Sequence, residues 1–277
     1  MTYKNLILTS LKESLKLIWK NKLWFMLLFV LEILFFAALS IASYNYQIKI
    51  VEHSNSIFDY ISKLKLDDAA VADNFLQQKS VLGNDPLLIS REFNEILKNF
   101  RLLLLSIFIS LVVFLSFAWT ITIKIIHKLN VKNLAKHYLG ILAVLLFYLG
   151  LIFIFFYFLL NLSLSNIVLQ TSMLITKYIL FFIVVVVLLY FMFISLSIVQ
   201  KTGFKNIVQK TLIIGIKKIH YVLGIYAINL ILSALSVVLF FKFFEESVFV
   251  LFFSIILLMF TLIFGRFLMI NAFEKLD

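Results

Sequence analysis

Six long apolar stretches, separated by polar and basic segments, set the pattern of this chain. Each is about 20 residues long, and at about 1.5 Å rise per residue such a helix crosses the roughly 30 Å hydrocarbon core of a bilayer. The pattern therefore predicts six transmembrane helices. They cover residues 23–43, 102–123, 139–160, 179–200, 221–241 and 247–270.

Composition supports this interpretation. Hydrophobic residues make up 63% of the 277 positions and charged residues only 14%, whereas soluble domains contain about half apolar and a quarter charged residues. A soluble fold of this size cannot bury so much apolar surface, so the excess must face lipid. We predict an all-α, polytopic membrane protein. The chain has no cysteine, which excludes disulfides and thiolate chemistry.

The basic residues predict the orientation of the spans. Lysines are concentrated in the N-terminal tail and in the second and fourth connections, whereas the short connections on the other side hold only Lys177 and Lys242. Short loops rich in Lys and Arg stay in the cytoplasm, while long segments translocate largely regardless of charge. We therefore expect a multi-pass protein of the cell membrane with both termini cytoplasmic and the long segment 44–98 outside.

The basic segments also predict interfacial amphipathic helices. In residues 1–22, apolar side chains recur at helical spacing opposite the row Lys12, Lys16 and Lys20. The fourth connection repeats this arrangement, and residues 129–136 contain a shorter version. The junctions WKNKLWFMLLF, LAKHYLGILAV and IKKIHYVLGIY align. This suggests three copies of one unit, an interfacial helix followed by two spans; the alternative is convergence of lysine-rich and apolar composition.

The segments SLKESLKLIWKNKLWFMLLF and QKTLIIGIKKIHYVLGIYAINLIL resemble the membrane domain that accompanies glycerophosphodiester phosphodiesterases and its stand-alone bacterial and archaeal relatives. The likeness covers nearly the whole chain at the level of pattern. In fused members a separate soluble domain performs the hydrolysis, and no such domain is found in this sequence. The resemblance therefore implies a membrane module and no catalytic activity.

Three polar residues are predicted to lie inside the membrane: Glu32, Arg266 and Asn229. Glu32 lies about 15 Å from the cytoplasmic end of the first span, where an isolated carboxylate is costly and needs a partner or a cavity. An ion pair with Arg266 would join the first span to the sixth. The alternative is a proton or ion relay in a transporter or channel, with Asn229 as a further polar group.

Several polar residues near the ends of the spans and in segment 44–98 support further predictions. His127, His137 and His220 all fall at the predicted cytoplasmic boundary, but their spacing is not a metal-ligand motif, and ordinary interfacial histidines are expected. Asn161 is expected to hydrogen-bond between helices. Segment 44–98 is predicted to form a small helical cap, with a turn at residues 83–86; the functional alternative is a docking site for a protein partner. Its acidic residues Asp67, Asp68 and Asp73 suggest a solvated helix start.

No nucleophile, acid–base pair or phosphate-binding motif is recognisable, so we predict neither an enzyme nor a cofactor. Nucleic acid is not an expected partner, because the basic segments face the membrane. The leading hypothesis is a non-enzymatic module that binds lipid headgroups, anionic ones on the cytoplasmic face, or that acts as a scaffold. The predicted headgroup contacts are Lys12, Lys16, Lys20, Lys128, Lys132, Lys136, Lys210, Lys217 and Lys218.

Overall fold

The computed structural model describes residues 3–63, 85, 87–165, 171–200, 204–242 and 248–276. Within these residues the chain forms eight α-helices and no β-strand, which confirms the predicted all-α fold. The helices are α1 (Tyr3–Lys20), α2 (Lys22–Lys63), α3 (Leu88–His127), α4 (Val131–Ser165), α5 (Thr171–Ile198), α6 (Phe204–Lys217), α7 (Ile219–Lys242) and α8 (Val248–Glu274).

Six helices of the described chain are long and apolar enough to cross a membrane: α2, α3, α4, α5, α7 and α8. Each contains most or all of one predicted span, so the chain is an integral membrane protein. The helices are longer than the apolar windows. The excess is largest in α2, which has 42 residues, and in α3, which has 40.

The chain divides into two compact units, and α2 and α3 contribute residues to both. Unit 1 consists of Met1–Leu34 and Val112–Asp277, and unit 2 of Phe35–Leu111. Every predicted membrane polar site and every predicted headgroup lysine belongs to unit 1.

The last helix, α8, forms the centre of unit 1. It packs against α1, α5 and α7, and almost all side chains from Thr261 to Phe273 are buried. Aromatic contacts reinforce the packing: Phe260 meets the Phe25 ring edge-on with centroids 5.9 Å apart, and Phe273 meets Tyr226 at 5.6 Å. Such offset and edge-to-face pairs are the geometry that aromatic quadrupoles prefer.

Unit 2 is formed by the second part of α2 and the first part of α3, and it includes both the ends of the two apolar windows and the described residues of segment 44–98. His53 Nδ1 lies 2.7 Å from Glu92 Oε2, and the Asp85 amide donates to the Tyr60 hydroxyl at 3.2 Å. The described parts of segment 44–98 thus extend the span helices, and they are not separate short helices. Leu64, Asp67, Asp68, Asp73 and most of the predicted turn at 83–86 lie outside the described residues.

The repeat is visible in two of its three predicted copies. The pairs α1–α2 and α6–α7 are each interrupted by a single non-helical residue, Asn21 in one and Lys218 in the other. These two residues occupy the same place in the aligned junctions. The remaining copy differs, because α4 begins at Val131 and continues without a break into its span. The interfacial helix expected around residues 129–136 is therefore not a separate element.

Candidate functional site

One end of unit 1 is held together by the C-terminal end of α8. Asn271 Nδ2 donates to Ser14 Oγ at 2.8 Å, and just past the helix Lys275 Nζ lies 2.7 Å from Glu13 Oε2. Ser14 and Asn271 are buried. These contacts fix α1 against the last helix, because a buried hydrogen bond would leave both partners unsatisfied if the helices moved apart.

The same end of α8 also contacts α3 and the junction between α6 and α7. His127 Nε2 lies 2.6 Å from Glu274 Oε1, and Lys218 Nζ donates to the Leu276 carbonyl oxygen. We call this region the basic end of unit 1, defined by Lys20, Lys128, Lys218 and Lys275. Four elements that are distant in sequence meet there.

A cleft of about 330 Å³ opens at the basic end, between α1, the end of α3 and the end of α8. Its volume is within the range of small-ligand pockets. It is lined by Glu13, Lys16, Leu17, Lys20, Asn21, Ile126, Lys128 and Asn271.

The cleft carries an excess of positive charge. Lys16, Lys20 and Lys128 come from two different helical regions, and none of them is within ion-pair distance of a carboxylate in the described chain. The one lining carboxylate, Glu13, is paired with Lys275. Three ammonium groups around one cavity favour a ligand with an anionic group.

Lys128 adopts a backbone conformation that is unusual for its residue type. Its φ is 51°, the one positive value at a non-glycine residue in the described chain. This left-handed conformation ends α3, and the following amide, Leu129 N, donates back to the Lys124 carbonyl at 3.3 Å. Glycine is the usual residue at such a helix end, since a side chain there costs about 1 kcal/mol or slightly more.

Helix α1 has three faces rather than two. Leu6, Ser10, Ser14 and Ile18 are buried in unit 1. A second face exposes the apolar side chains Leu8, Leu15 and Trp19, and a third exposes Lys12, Lys16 and Lys20. Ile18 is one of the apolar residues that recur at helical spacing in residues 1–22 and were expected at the membrane interface, but the structure places it in the core.

Helix α6 shows the same order of faces. Ile207, Thr211 and Ile214 are buried, whereas Val208, Leu212 and Ile216 are exposed apolar residues. Lys217 is exposed and Lys210 partly buried on the remaining side. The shared order of faces is further support for the repeat of α1–α2 and α6–α7.

The predicted headgroup lysines are not all equivalent. Lys16, Lys20 and Lys128 line the cleft, and Lys218 contacts the chain end. Lys12, Lys136 and Lys217 are exposed and are not among the lining residues of the cleft. The side chain of Lys132 lies outside the described structure.

The predicted contact between Glu32 and Arg266 is present. Arg266 Nη2 and Glu32 Oε1 form an ion pair, and the two residues are only 6% and 5% exposed. Asn229 Nδ2 is 3.5 Å from the carbonyl oxygen of Gly265, next to Arg266. Glu32 and Asn229 follow the two helix breaks, Asn21 and Lys218, at the same distance, so they occupy equivalent positions of the repeat.

The polar group is not fully hydrogen-bonded. Arg266 Nε and Asn229 Oδ1 are buried and make no hydrogen bond to a described residue, and Arg266 Nη2 and Glu32 Oε1 contact only each other. Buried polar atoms of this kind usually bind ordered water or an ion.

Several polar contacts could not be anticipated from the sequence. Tyr148, Ser195 and Thr211 form a hydroxyl network of 3.0–3.1 Å contacts that joins α4, α5 and α6. Lys124, expected at the membrane surface, is buried with its ammonium 3.4 Å from the centre of the Trp24 ring. In the sequence, both the hydroxyl network and the Lys124–Trp24 contact are marked only by a hydroxyl or lysine residue in or next to an apolar stretch. Such residues are too common to predict a specific contact.

The three boundary histidines do not form a metal site. The described residues contain no group of three or more His, Cys, Asp or Glu side chains able to hold a metal ion. His127 instead faces Glu274, and the ring of His220 lies against Tyr221, with 4.1 Å between the ring centres. The side chain of Asn161 lies outside the described structure.

Comparison of the chain with protein-family models, with curated proteins and with solved structures finds no match. The geometry of unit 1 therefore carries the functional argument.

Proposed function

We propose that this chain is a non-enzymatic membrane module that binds anionic lipid headgroups in the cleft at the basic end of unit 1. The observation that carries the proposal is the convergence of Lys16, Lys20 and Lys128, which lack a described carboxylate partner, on one cavity. The cleft lies next to the exposed apolar face of α1, and this position would suit a lipid. Trp19, which is 76% exposed, is suited to the boundary between headgroups and acyl chains.

The expected contribution of the lysines is substantial. A basic residue close to an anionic leaflet contributes about 1 kcal/mol, so three converging lysines correspond to about 3 kcal/mol, or roughly a hundredfold in affinity. Because anionic lipids and short basic connections both favour the cytoplasmic side, we propose that the basic end faces the cytoplasm.

The repeat provides an internal comparison. At the place in α6 that corresponds to Lys16, the chain has Ile213, which is exposed, and Lys218 replaces Asn21. If the cleft lysines served only to orient the spans, their exact positions in the sequence would be unimportant, because the positive-inside effect depends on the number of basic residues in a loop. The difference between the two copies therefore supports a binding role for the cleft that only the α1 copy has.

Replacing the three cleft lysines tests the proposal. In Lys16→Gln/Lys20→Gln/Lys128→Gln, we expect the anionic lipid that co-purifies in mild detergent to fall at least tenfold by native mass spectrometry, since the converging charges are removed. The matched control is Lys12→Gln/Lys136→Gln/Lys217→Gln, which removes the same charge from exposed lysines outside the cleft. Equal losses in the two variants would contradict a specific site.

The alternative function is transport or conduction through a polar site formed by Glu32, Arg266 and Asn229. The unsatisfied buried atoms of this group favour it, because they could bind an ion or water. A proteoliposome flux and proton-uptake assay of the wild type and Glu32→Gln would test it. Flux that the substitution abolishes, in a variant that still purifies as a folded protein, would place transport ahead of headgroup binding.

Two further expectations stay predictions. A protein partner at segment 44–98 is consistent with the exposed apolar side chains of Tyr44, Val51 and Phe58 on α2. A relation to the membrane domain that accompanies glycerophosphodiester phosphodiesterases would agree with a non-catalytic module at a lipid headgroup.

A further inference from the structure

The polar groups that line the cleft are of two chemical kinds. Lys16, Lys20 and Lys128 offer only hydrogen-bond donors, since an ammonium group has no lone pair. Asn21 and Asn271 are amides, and each has a donor nitrogen and an acceptor oxygen. The orientation of the two amides therefore decides what else a ligand must provide.

The Asn21 amide orientation follows from its partner. Asn21 Nδ2 lies 2.9 Å from the Leu17 carbonyl oxygen. A carbonyl oxygen can only accept, so the amide atom facing it must be the nitrogen. The Asn21 oxygen accepts no hydrogen bond from a described residue.

The Asn271 orientation follows by one further step. Ser14 Oγ donates its single hydrogen to the Ser10 carbonyl at 2.7 Å, so towards Asn271 it can only accept. The atom 2.8 Å from Ser14 Oγ must then be the amide nitrogen of Asn271. Both asparagines thus direct their nitrogens to the protein, and no described residue donates to the oxygen of either one, so both oxygens can accept from a ligand in the cleft.

We infer that the cleft selects a lipid phosphate ester whose headgroup also carries hydroxyl groups, of the phosphatidylglycerol type; this inference rests on the proposed headgroup function. The lysines take the phosphate oxygens, and the two amide oxygens accept hydrogen bonds from the hydroxyls. An ammonium headgroup could also donate to these oxygens, but it would have to lie beside three lysines and would be repelled. A phosphate diester of a simple alcohol, as in phosphatidylmethanol, carries the same charge but lacks the hydroxyl donors, and it would leave both amide oxygens without a headgroup partner.

The test measures binding of three short-chain lipids to the full-length protein in detergent. The probes are the dioctanoyl forms of phosphatidylglycerol, of phosphatidylmethanol, which has the same charge and no headgroup hydroxyl, and of phosphatidylethanolamine. We expect the phosphatidylglycerol to bind about fivefold or more tightly than phosphatidylmethanol, the factor for one neutral hydrogen bond, and phosphatidylethanolamine to bind most weakly.

The variants separate this inference from the proposed function. Asn21→Ala should reduce the preference for phosphatidylglycerol over phosphatidylmethanol severalfold, because only the Asn271 oxygen then remains to accept from the hydroxyls, and it should change the binding of phosphatidylmethanol little. Lys16→Gln should weaken the binding of both lipids alike. Asn45→Ala, an exposed asparagine of unit 2, is the matched control. Equal binding of the two anionic lipids by the wild type overturns the selectivity alone. If neither anionic lipid binds, the proposed function itself is overturned.

A soluble competitor distinguishes a lipid from a free phosphate ester. We expect glycerol 3-phosphate to displace the dioctanoyl lipid only at much higher concentration, because it lacks the acyl chains that lie along Leu8, Leu15 and Trp19 of α1. Displacement at equal concentration would overturn a lipid ligand in favour of a free polyol phosphate.

Discussion

Glu32 and Arg266 illustrate how single residues determine helix contacts in a chain that is otherwise almost uniformly apolar. A carboxylate inside a membrane needs a partner, and few charged residues were available at its depth. The sequence could therefore predict the pair. It could not predict Asn271 with Ser14, because asparagine and serine are frequent near helix ends and many pairings would satisfy them.

Exchanging the two charges tests the ion pair. Glu32→Arg or Arg266→Glu alone should destabilise the fold by about 3–5 kcal/mol, since each leaves two like charges buried together. The double exchange should restore much of the loss. The measurement is the yield of monodisperse protein and its thermal unfolding in detergent, and a double variant no better than the single variants would contradict the pairing.

Gly215 is a second position where one residue controls packing. A Cβ atom there would lie 2.7 Å from the Phe191 ring and 3.2 Å from Ile194 and Tyr190, and the Gly215 carbonyl accepts a 2.6 Å hydrogen bond from the Tyr190 hydroxyl. Gly215→Ala should therefore cost about 1–3 kcal/mol through overpacking.

Gly150 provides the control for this substitution. A Cβ atom at Gly150 would meet nothing within 4 Å, so Gly150→Ala should be neutral or stabilise the helix by up to about 1 kcal/mol. Thermal unfolding of both variants in the same detergent makes the comparison. Similar effects of the two substitutions would show that α6 is not tightly packed at Gly215.

At the scale of elements, the sequence predicted where helices cross the membrane better than where they end. Apolar windows located all six spans, but α2 and α3 continue well beyond them. Polar residues on exposed helix turns give no hydrophobic signal, and nothing in residues 44–63 stops a helix. The prediction of a separate helix near residues 129–136 was wrong for the opposite reason. The sequence pattern suggested a break before the next span, but α4 continues from Val131 into that span without one.

The end of α3 allows a prediction in which stability and binding change in opposite directions. Lys128→Gly should stabilise the fold by about 1 kcal/mol, because glycine tolerates the positive φ at this position. The same substitution removes a cleft ammonium and should lower retained anionic lipid severalfold. Thermal unfolding of lipid-free protein and native mass spectrometry give the two readings.

Lys136→Gly is the comparison for this variant. Lys136 is exposed in the ordinary helical part of α4, so glycine there should cost about 1 kcal/mol and leave lipid retention unchanged. If Lys128→Gly is also destabilising, the positive φ at Lys128 is not a source of strain. If the variant retains lipid like the wild type, the Lys128 side chain does not contribute to lipid binding.

At the scale of the whole molecule, the orientation predicted from the lysines can be measured directly, because the chain has no cysteine. In intact cells a membrane-impermeant maleimide should label Ser56→Cys, in the long segment 44–98, but not Lys12→Cys, in α1. Permeabilised cells should show label on both, since both side chains are exposed in the structure. The opposite pattern in intact cells would place the basic end outside.

The assembly of unit 1 around its last helix has a consequence for synthesis. Ser14 and Glu32 make their long-range contacts with Asn271 and Arg266 of the last helix. At about 5–20 residues per second the ribosome therefore needs on the order of ten seconds or more between the two members of each pair. During that interval α2 must leave the translocon with an uncompensated carboxylate, which costs up to about 3 kcal/mol. The many Leu and Phe residues of the first span must offset this cost without help from Arg266. Substitutions that make this span less hydrophobic should therefore reduce its insertion into the membrane before they affect the final packing.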